Sequence, residues 1–147
     1  MMQTKNDLKT VEIARTLKAP VDKVYKAWTE SEQMTRWLGC VETGTVKVTQ
    51  NLHVGGEYRF EITLQDGKEV LMYGIYKEVE TNRKLVYTWT NNSEQYPAKD
   101  TIVTVEFIAK GDLTELVLKH ANLTEIAAQG HTFGWSASFD KFEKLFI

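Results

Sequence analysis

Hydrophobic and polar residues alternate near the beginning of the chain and then change to a helical spacing. Val11, Ile13 and Leu17 fall on alternating positions of residues 8–18, which predicts a strand with one solvated face. Pro20 suits the first turn of a helix, because its missing N–H would be unbonded there. The helix that follows has an apolar stripe at i, i+3, i+4 and i+7, formed by Val21, Val24, Tyr25 and Trp28.

A second short helix is expected directly after the first. Thr29 and Glu32 have the spacing of a capping box, in which Thr29 caps the helix and Glu32 reaches back to it. Gly39 is expected to end this helix. Its apolar side chains are Met34, Trp37 and Leu38.

From about residue 42 to residue 121 the hydrophobic period is two, which predicts five or six antiparallel strands joined by short turns. Asp66-Gly67 marks one of the hairpin turns, because this dipeptide readily supplies the positive φ that such turns require. The positions that share the inward phase are Tyr58, Phe60, Ile62, Leu64, Val70, Met72, Gly74, Tyr76, Leu85, Tyr87, Trp89, Val103, Val105, Phe107, Leu116, Leu118 and His120.

Residues 124–147 return to a helical period and predict one long helix. Lys141 and Lys144 near its end complement the helix dipole. The predicted element order is a strand, two short helices, five or six strands and the long helix, which is an α+β architecture. The buried stripe of the long helix consists of His131, Trp135, Ser138, Phe139, Phe142 and Phe146.

Composition and charge exclude several classes of protein. The 147 residues suffice for one domain, expected over residues 8–147, with residues 1–7 as a disordered tail. The 18 basic and 20 acidic residues give a net charge of -2, which argues against nucleic-acid binding. Cys40 is the single cysteine, so an internal disulfide is ruled out, and its place after Gly39 does not favour a reactive thiol. With no apolar leader and no apolar run of about 18 residues, we expect no membrane association and a cytoplasmic protein.

Several segments together carry a family resemblance, although no single one is specific. They are Ala19-Pro20 with Val24-Tyr25 and Trp28-Thr29, then Trp37-Leu38-Gly39, Val54-Gly55-Gly56, Asp66-Gly67, Leu85-Val86-Tyr87-Thr88-Trp89, and Gly134-Trp135 with Phe139 and Phe142. In this order they resemble the START-like, helix-grip superfamily, over roughly residues 10–146. The branch most similar is the bacterial one related to the C-terminal domain of the heat-shock-protein-90 ATPase activator.

The resemblance implies a curved antiparallel sheet that grips the long C-terminal helix, with a cavity between them. Members of the superfamily include lipid and sterol carriers, hormone receptors and aromatic polyketide cyclases, so the fold alone does not select a function. This sequence has Thr81-Asn82 where many family members have proline. It also lacks the large N-terminal domain of the eukaryotic activator.

The inward phase of the sheet and the facing side of the long helix supply the candidate ligand-binding residues. Their polar groups would be the hydroxyls of Tyr58, Tyr76 and Tyr87 and the imidazole of His120. Each of these side chains could instead fill the core, since buried aromatic residues mostly serve packing. The candidates are Trp37, Tyr58, Phe60, Ile62, Met72, Tyr76, Tyr87, Trp89, Val105, Leu118, His120, Trp135 and Phe139.

His120 ends an inward strand phase and is the one inward side chain that titrates near neutrality, so it could serve as an acid or a base. We expect instead a structural or hydrogen-bonding role, because burial beside Trp135 would keep the ring neutral, and no residue is assigned as catalytic. His53, His120 and His131 lack the short spacing of a metal site, so neither a metal nor another cofactor is expected.

These observations favour a module that binds a small apolar or aromatic molecule. Two other functions stay open at this point. One is an enzyme of the cyclase or hydrolase type that uses the same cavity, and the other is a stress-response protein that contacts a chaperone. The sequence distinguishes neither a monomer from a homodimer nor one ligand from another.

Overall fold

The two-residue and 3.6-residue periods produce one sheet and three helices in the computed structural model, which describes residues 7–39 and 43–147. The helices are α1 (Val21–Thr29), α2 (Ser31–Met34) and α3 (Glu125–Lys144). The strands are β1 (Lys9–Leu17), β2 (Thr43–Gln50), β3 (Glu57–Leu64), β4 (Glu69–Glu80), β5 (Lys84–Asn91), β6 (Thr101–Lys110) and β7 (Leu113–Leu123). The expectations for Cys40 and for residues 1–6 lie outside the described residues.

The described strands form one antiparallel sheet in the order β1-β7-β6-β5-β4-β3-β2. Strands β2 to β7 follow one another as a meander, and β1 closes the other edge by pairing with β7. A bulge between Tyr76 and Glu78 shifts the register of β4 against β5 and bends the strand. The sheet is curved and α3 packs against it, which confirms the predicted α+β, helix-grip architecture with six strands after α2.

The predicted inward phase of the sheet is confirmed. In β3, for example, Tyr58, Phe60 and Ile62 are buried while Glu57 and Arg59 are exposed. The Asp66-Gly67 turn is also present. Gly67 has a φ of 91° and connects β3 to β4, a conformation that a residue without a Cβ adopts at no steric cost.

The start of α1 and the predicted capping box differ from the expectation. Pro20 is the N-cap of α1, one position before its first turn. Thr29 is the last residue of α1, and its hydroxyl donates to the Tyr25 carbonyl over 2.7 Å. Glu30 precedes α2 without a side-chain capping bond. The capping-box prediction was wrong because α1 extends through Thr29, so the hydroxyl is satisfied within its own helix.

The long helix α3 buries the predicted stripe against the sheet. Its N-cap Thr124 accepts a hydrogen bond from the Ala127 amide over 3.2 Å, which satisfies one of the free N–H groups of the first turn. Phe146 lies beyond the last helical residue and is only partly buried. The helices of the described residues include none that is long and apolar enough to cross a membrane.

Candidate functional site

A cavity of about 820 Å³ lies between α3 and the half of the sheet formed by β3, β4 and β5. The strands contribute apolar side chains to it, and the connection between β5 and β6 contributes Ser93 and Tyr96. Its rim is solvent-accessible, since Phe133 is 78% exposed. The apolar side chains that line it include Ile62, Leu64, Val70, Met72, Trp89 and Trp135.

Two glycines of α3 shape one wall of the cavity. At Gly130 a Cβ atom would lie 2.2 Å from Cγ of Tyr96, so the absence of a side chain lets the tyrosine ring contact the helix backbone. At Gly134, one turn later, a Cβ atom would meet no atom within 4 Å. Glycine at this second position leaves space open along the helix, next to Trp135 in the cavity lining.

The floor of the cavity is built on a hydrogen-bonded network that begins at Trp135. Its indole Nε1 donates to Nδ1 of His120 over 3.1 Å, so Nδ1 is an acceptor and the proton of the neutral ring is on Nε2. His120 Nε2 lies 2.8 Å from the hydroxyl of Thr101, which donates to the carbonyl of Trp89 over 2.7 Å. Every polar atom of this buried chain therefore has a partner.

His131 also has both ring nitrogens hydrogen-bonded and accepts from a tryptophan indole. Its Nδ1 lies 2.7 Å from the Ala127 carbonyl, which can only accept, so Nδ1 carries the proton. Its Nε2 accepts from the indole N–H of Trp89 over 3.2 Å. Asn91 Nδ2 lies 3.4 Å from the same nitrogen.

Both imidazoles are held in the neutral form. Burial and, as a smaller cause, the neighbouring His131, whose ring centroid is 4.8 Å away, together lower the pKa of His120 to about 2. Burial also lowers the pKa of His131, opposed by its bond to Ala127. Because the indole N–H groups of Trp89 and Trp135 donate to the two histidines, these side chains offer the cavity apolar ring surface and no unpaired N–H.

Charged groups lie at the end of the cavity where α3 finishes. Lys141 Nζ donates to the Leu38 carbonyl over 3.1 Å, and the Ser138 hydroxyl donates to the Gly39 carbonyl over 3.0 Å. These two bonds attach α3 to the segment that follows α2. Asp140 and Lys144 complete the charged part of the lining.

Four of the candidate residues line this cavity, namely Ile62, Met72, Trp89 and Trp135. The others are buried elsewhere in the core: Trp37, Tyr58, Phe60, Tyr76, Tyr87, Val105, Leu118, His120 and Phe139. Contact of any of the thirteen with a ligand stays a prediction.

The three candidate tyrosines form a separate cluster. Their ring centroids lie 5.3–5.6 Å apart. The Tyr58 hydroxyl donates to the Thr88 carbonyl, and the Tyr76 hydroxyl donates to Oε1 of Gln50. Burial raises the pKa of Tyr58, Tyr76 and Tyr87, so these phenols stay protonated at neutral pH.

Trp37 lies behind the cavity. Its Nε1 donates to the Ala27 carbonyl over 2.9 Å, and its ring packs against Trp28, with 4.3 Å between centroids. The neighbouring Leu38 lines the cavity instead.

Sequence patterns did not point to several residues that line the cavity, among them Gly134, Tyr96, Asn91 and Lys144. One signal was present: Gly130 and Gly134 lie four residues apart inside a predicted helix, where each glycine costs about 1 kcal/mol relative to alanine. Such a pair indicates a position where a side chain is excluded or space is kept. Asn91 is the last residue of β5 and Tyr96 lies in the connection between β5 and β6, and nothing in the alternating pattern marks either of them.

A smaller depression of about 460 Å³ lies beside the start of α1. Lys18, Lys23 and Lys26 line it together with Phe146. Its lysines make it less suited than the larger cavity to an apolar molecule.

The fold and the cavity define a helix-grip domain, and sequence comparison specifies its family. Residues 18–146 match the family described as "Activator of Hsp90 ATPase homolog 1-like protein", and the chain belongs to this family. None of the curated proteins matches the sequence significantly.

Solved structures share the fold at low sequence identity. Protein CV1439 from Chromobacterium violaceum is 24% identical with a TM-score of 0.84, over 93% of this chain and 96% of that one. A protein from Arthrobacter aurescens is 18% identical with a TM-score of 0.82, over 99% and 89%. CalU16 from Micromonospora echinospora is 25% identical with a TM-score of 0.71, over 94% and 74%.

Proposed function

We propose that this chain is a ligand-binding domain whose cavity takes a small, mainly apolar or aromatic molecule. The observation that carries the proposal is the cavity of about 820 Å³ with Trp89 and Trp135 in its lining. Ligand sites are typically concave, mostly apolar and about 300–1,000 Å³ in volume. Aromatic ring faces whose N–H groups are already bonded suit apolar or stacked ligand atoms, because no buried donor is left unpaired when such a ligand binds.

The buried histidines support binding over catalysis. A general acid or base must reach the reacting atoms and titrate near the working pH. His120 is fully buried behind Trp135, its pKa is about 2, and both of its nitrogens are engaged. His131 lines the cavity, but its two nitrogens bond to Ala127 and Trp89. Contact with a chaperone stays a prediction that the cavity neither requires nor excludes.

The test is a titration with N-phenyl-1-naphthylamine, a neutral aromatic dye that fluoresces in apolar surroundings. We expect saturable binding at one site and quenching of tryptophan fluorescence, because Trp89 and Trp135 lie in the cavity lining. Native mass spectrometry of the freshly purified protein would show any ligand that co-purifies.

Gly134→Phe places a ring in the open space beside the helix and should lower the dye affinity roughly tenfold or more, which is a loss of at least about 1.4 kcal/mol. Thr132→Phe is the matched control, since Thr132 is an exposed position of the same helix outside the cavity lining. Non-saturable dye binding, or equal loss of affinity in both variants, would contradict the proposal. Thermal unfolding of both variants shows whether they remain folded.

A further inference from the structure

We infer that the ligand of this cavity is amphipathic and anionic, with a carboxylate or a similar group bound by Lys144 and an apolar body lying on Trp89 and Trp135. This inference rests on the proposed function and adds the chemical class of the ligand. It follows from where the cavity has charged groups and where its polar groups are already bonded.

The charges at the end of α3 favour an anion. Lys141, Lys144 and Asp140 are the charged residues of the described cavity lining. The single carboxylate among them already pairs with Arg15, whose Nη1 lies 2.9 Å from Oδ1 of Asp140. Lys144 has no ion-pair partner among the residues that the structure describes. A carboxylate entering here meets the ammonium group of Lys144, whereas a cation would have to displace Arg15 from Asp140.

Lys144 is better suited than Lys141 to bind the ligand. Lys141 donates to the Leu38 carbonyl and thereby attaches α3 to the segment after α2. Lys144 is exposed and lies three residues further along the same helix, so its ammonium group can move to meet an anion.

The part of the cavity lined by Trp89 and Trp135 has no free hydrogen-bonding group on these side chains and, among the described residues, no charge. The indole N–H groups of Trp89 and Trp135 donate to histidines. Asn91 is also fully engaged, because its Oδ1 accepts from the amides of Ser93 and Ala98 and its Nδ2 donates to the Tyr96 carbonyl. A polar group placed there would lose its water without gaining a partner, which is unfavourable.

The two parts are separated along α3 by a distance that one molecule can span. Trp135 and Lys144 both line the cavity and are nine residues apart in α3, an axial rise of about 13.5 Å at 1.5 Å per residue. An elongated ligand can therefore place its apolar body on the tryptophans while its anionic group lies at the cavity mouth.

The experiment compares decanoate with decanol as competitors of N-phenyl-1-naphthylamine, because the two differ only in the charged group. We expect decanoate to displace the dye at a roughly fivefold lower concentration than decanol in the wild type, as is typical of an exposed ion pair worth up to about 1 kcal/mol. Lys144→Gln should remove this difference by weakening decanoate binding roughly fivefold, a larger change than in the binding of the uncharged dye or of decanol. Salt at about 1 M should reduce the difference in the wild type by screening.

Lys23→Gln is the matched control. Lys23 is exposed on α1 and lines the smaller basic depression. If the advantage of decanoate is lost in Lys23→Gln and kept in Lys144→Gln, the anion binds in that depression and the inference is wrong. Equal displacement by decanoate and decanol in the wild type also overturns it, while saturable dye binding would leave the proposed function intact. If the dye itself does not bind saturably, it is the proposed function that fails.

Discussion

Gly130 and Gly134 lie one turn apart in α3 and offer a matched pair of substitutions. Both are interior helix positions, where alanine is roughly 0.5–1 kcal/mol more favourable than glycine. Their surroundings differ, since an added Cβ meets no atom within 4 Å at Gly134 and lies 2.2 Å from the Tyr96 ring at Gly130. We therefore expect the same substitution to have opposite effects at the two positions.

At Gly134 an added methyl group contacts no other atom, so only the higher helix propensity of alanine changes the stability. Gly134→Ala is expected to raise the free energy of unfolding by about 1 kcal/mol, or the Tm by about 2–4 °C for a chain of this size. At Gly130 the new methyl group overlaps the ring of Tyr96, and displacing the ring costs about 1–3 kcal/mol. After subtraction of the propensity gain, Gly130→Ala should lower the free energy of unfolding by about 1 kcal/mol.

The assay is urea denaturation of the wild type and both variants, followed by circular dichroism. A third measurement uses the Tyr96→Ala background, in which the overlap at Gly130 is absent. There Gly130→Ala should stabilise the protein by about as much as Gly134→Ala does in the wild type.

Equal stabilisation by Gly130→Ala and Gly134→Ala in the wild type would refute the reasoning. It would mean that Tyr96 does not contact the helix at Gly130 and that this wall of the cavity is built differently. If Gly130→Ala also lowers the free energy of unfolding in the Tyr96→Ala background, overlap with the Tyr96 ring is not the cause of the destabilisation.

Three further predictions concern buried polar groups. Trp135→Phe removes the hydrogen-bond donor to His120 Nδ1 and should lower the free energy of unfolding, measured by urea denaturation, by about 1–3 kcal/mol. An unchanged free energy of unfolding would show that this hydrogen bond does not contribute to stability. Lowering the pH from about 7 to about 5 should cost about 2 kcal/mol through His120, because the unfolded ring takes up a proton below its pKa of 6.5 while the folded ring, with a pKa of about 2, stays neutral. Stability is thus lost as the pH falls, and this part of the pH dependence should be missing in His120→Gln. Tyr76→Phe removes the bond to Gln50 and should cost about 1 kcal/mol, whereas Tyr73→Phe on the exposed face should cost almost nothing.

The strands, the long helix and most buried positions follow from local patterns. Alternation in β3 assigned Tyr58 and Phe60 to the buried face, and the spacing in α3 assigned Trp135 and Phe142 to it. The capping box at Thr29 failed because two short helices adjoin there, and the four-residue motif does not specify which of them continues.

The candidate site was predicted only in part. The inward phase of a strand determines that a side chain leaves the solvent, but the same phase contains Tyr87 in the packed tyrosine cluster and Trp89 in the cavity lining. The neutral state of His120 was expected from its burial, but its pair of hydrogen-bond partners was out of reach of the sequence, because they come from β6 and α3.

The sequence by itself determined the α+β class, the element order and the two buried faces, since these depend on periods of two and 3.6 residues within single segments. Only the tertiary structure decided where the buried faces of α3 and the sheet pack tightly and where a cavity remains between them. That outcome depends on how closely α3 approaches the β5–β6 connection and the sheet, which is set by pairs of residues far apart in the chain, such as Gly130 with Tyr96 and Ser138 with Gly39. A local pattern holds no information about such distances, so the cavity and its chemistry emerge only when the segments pack.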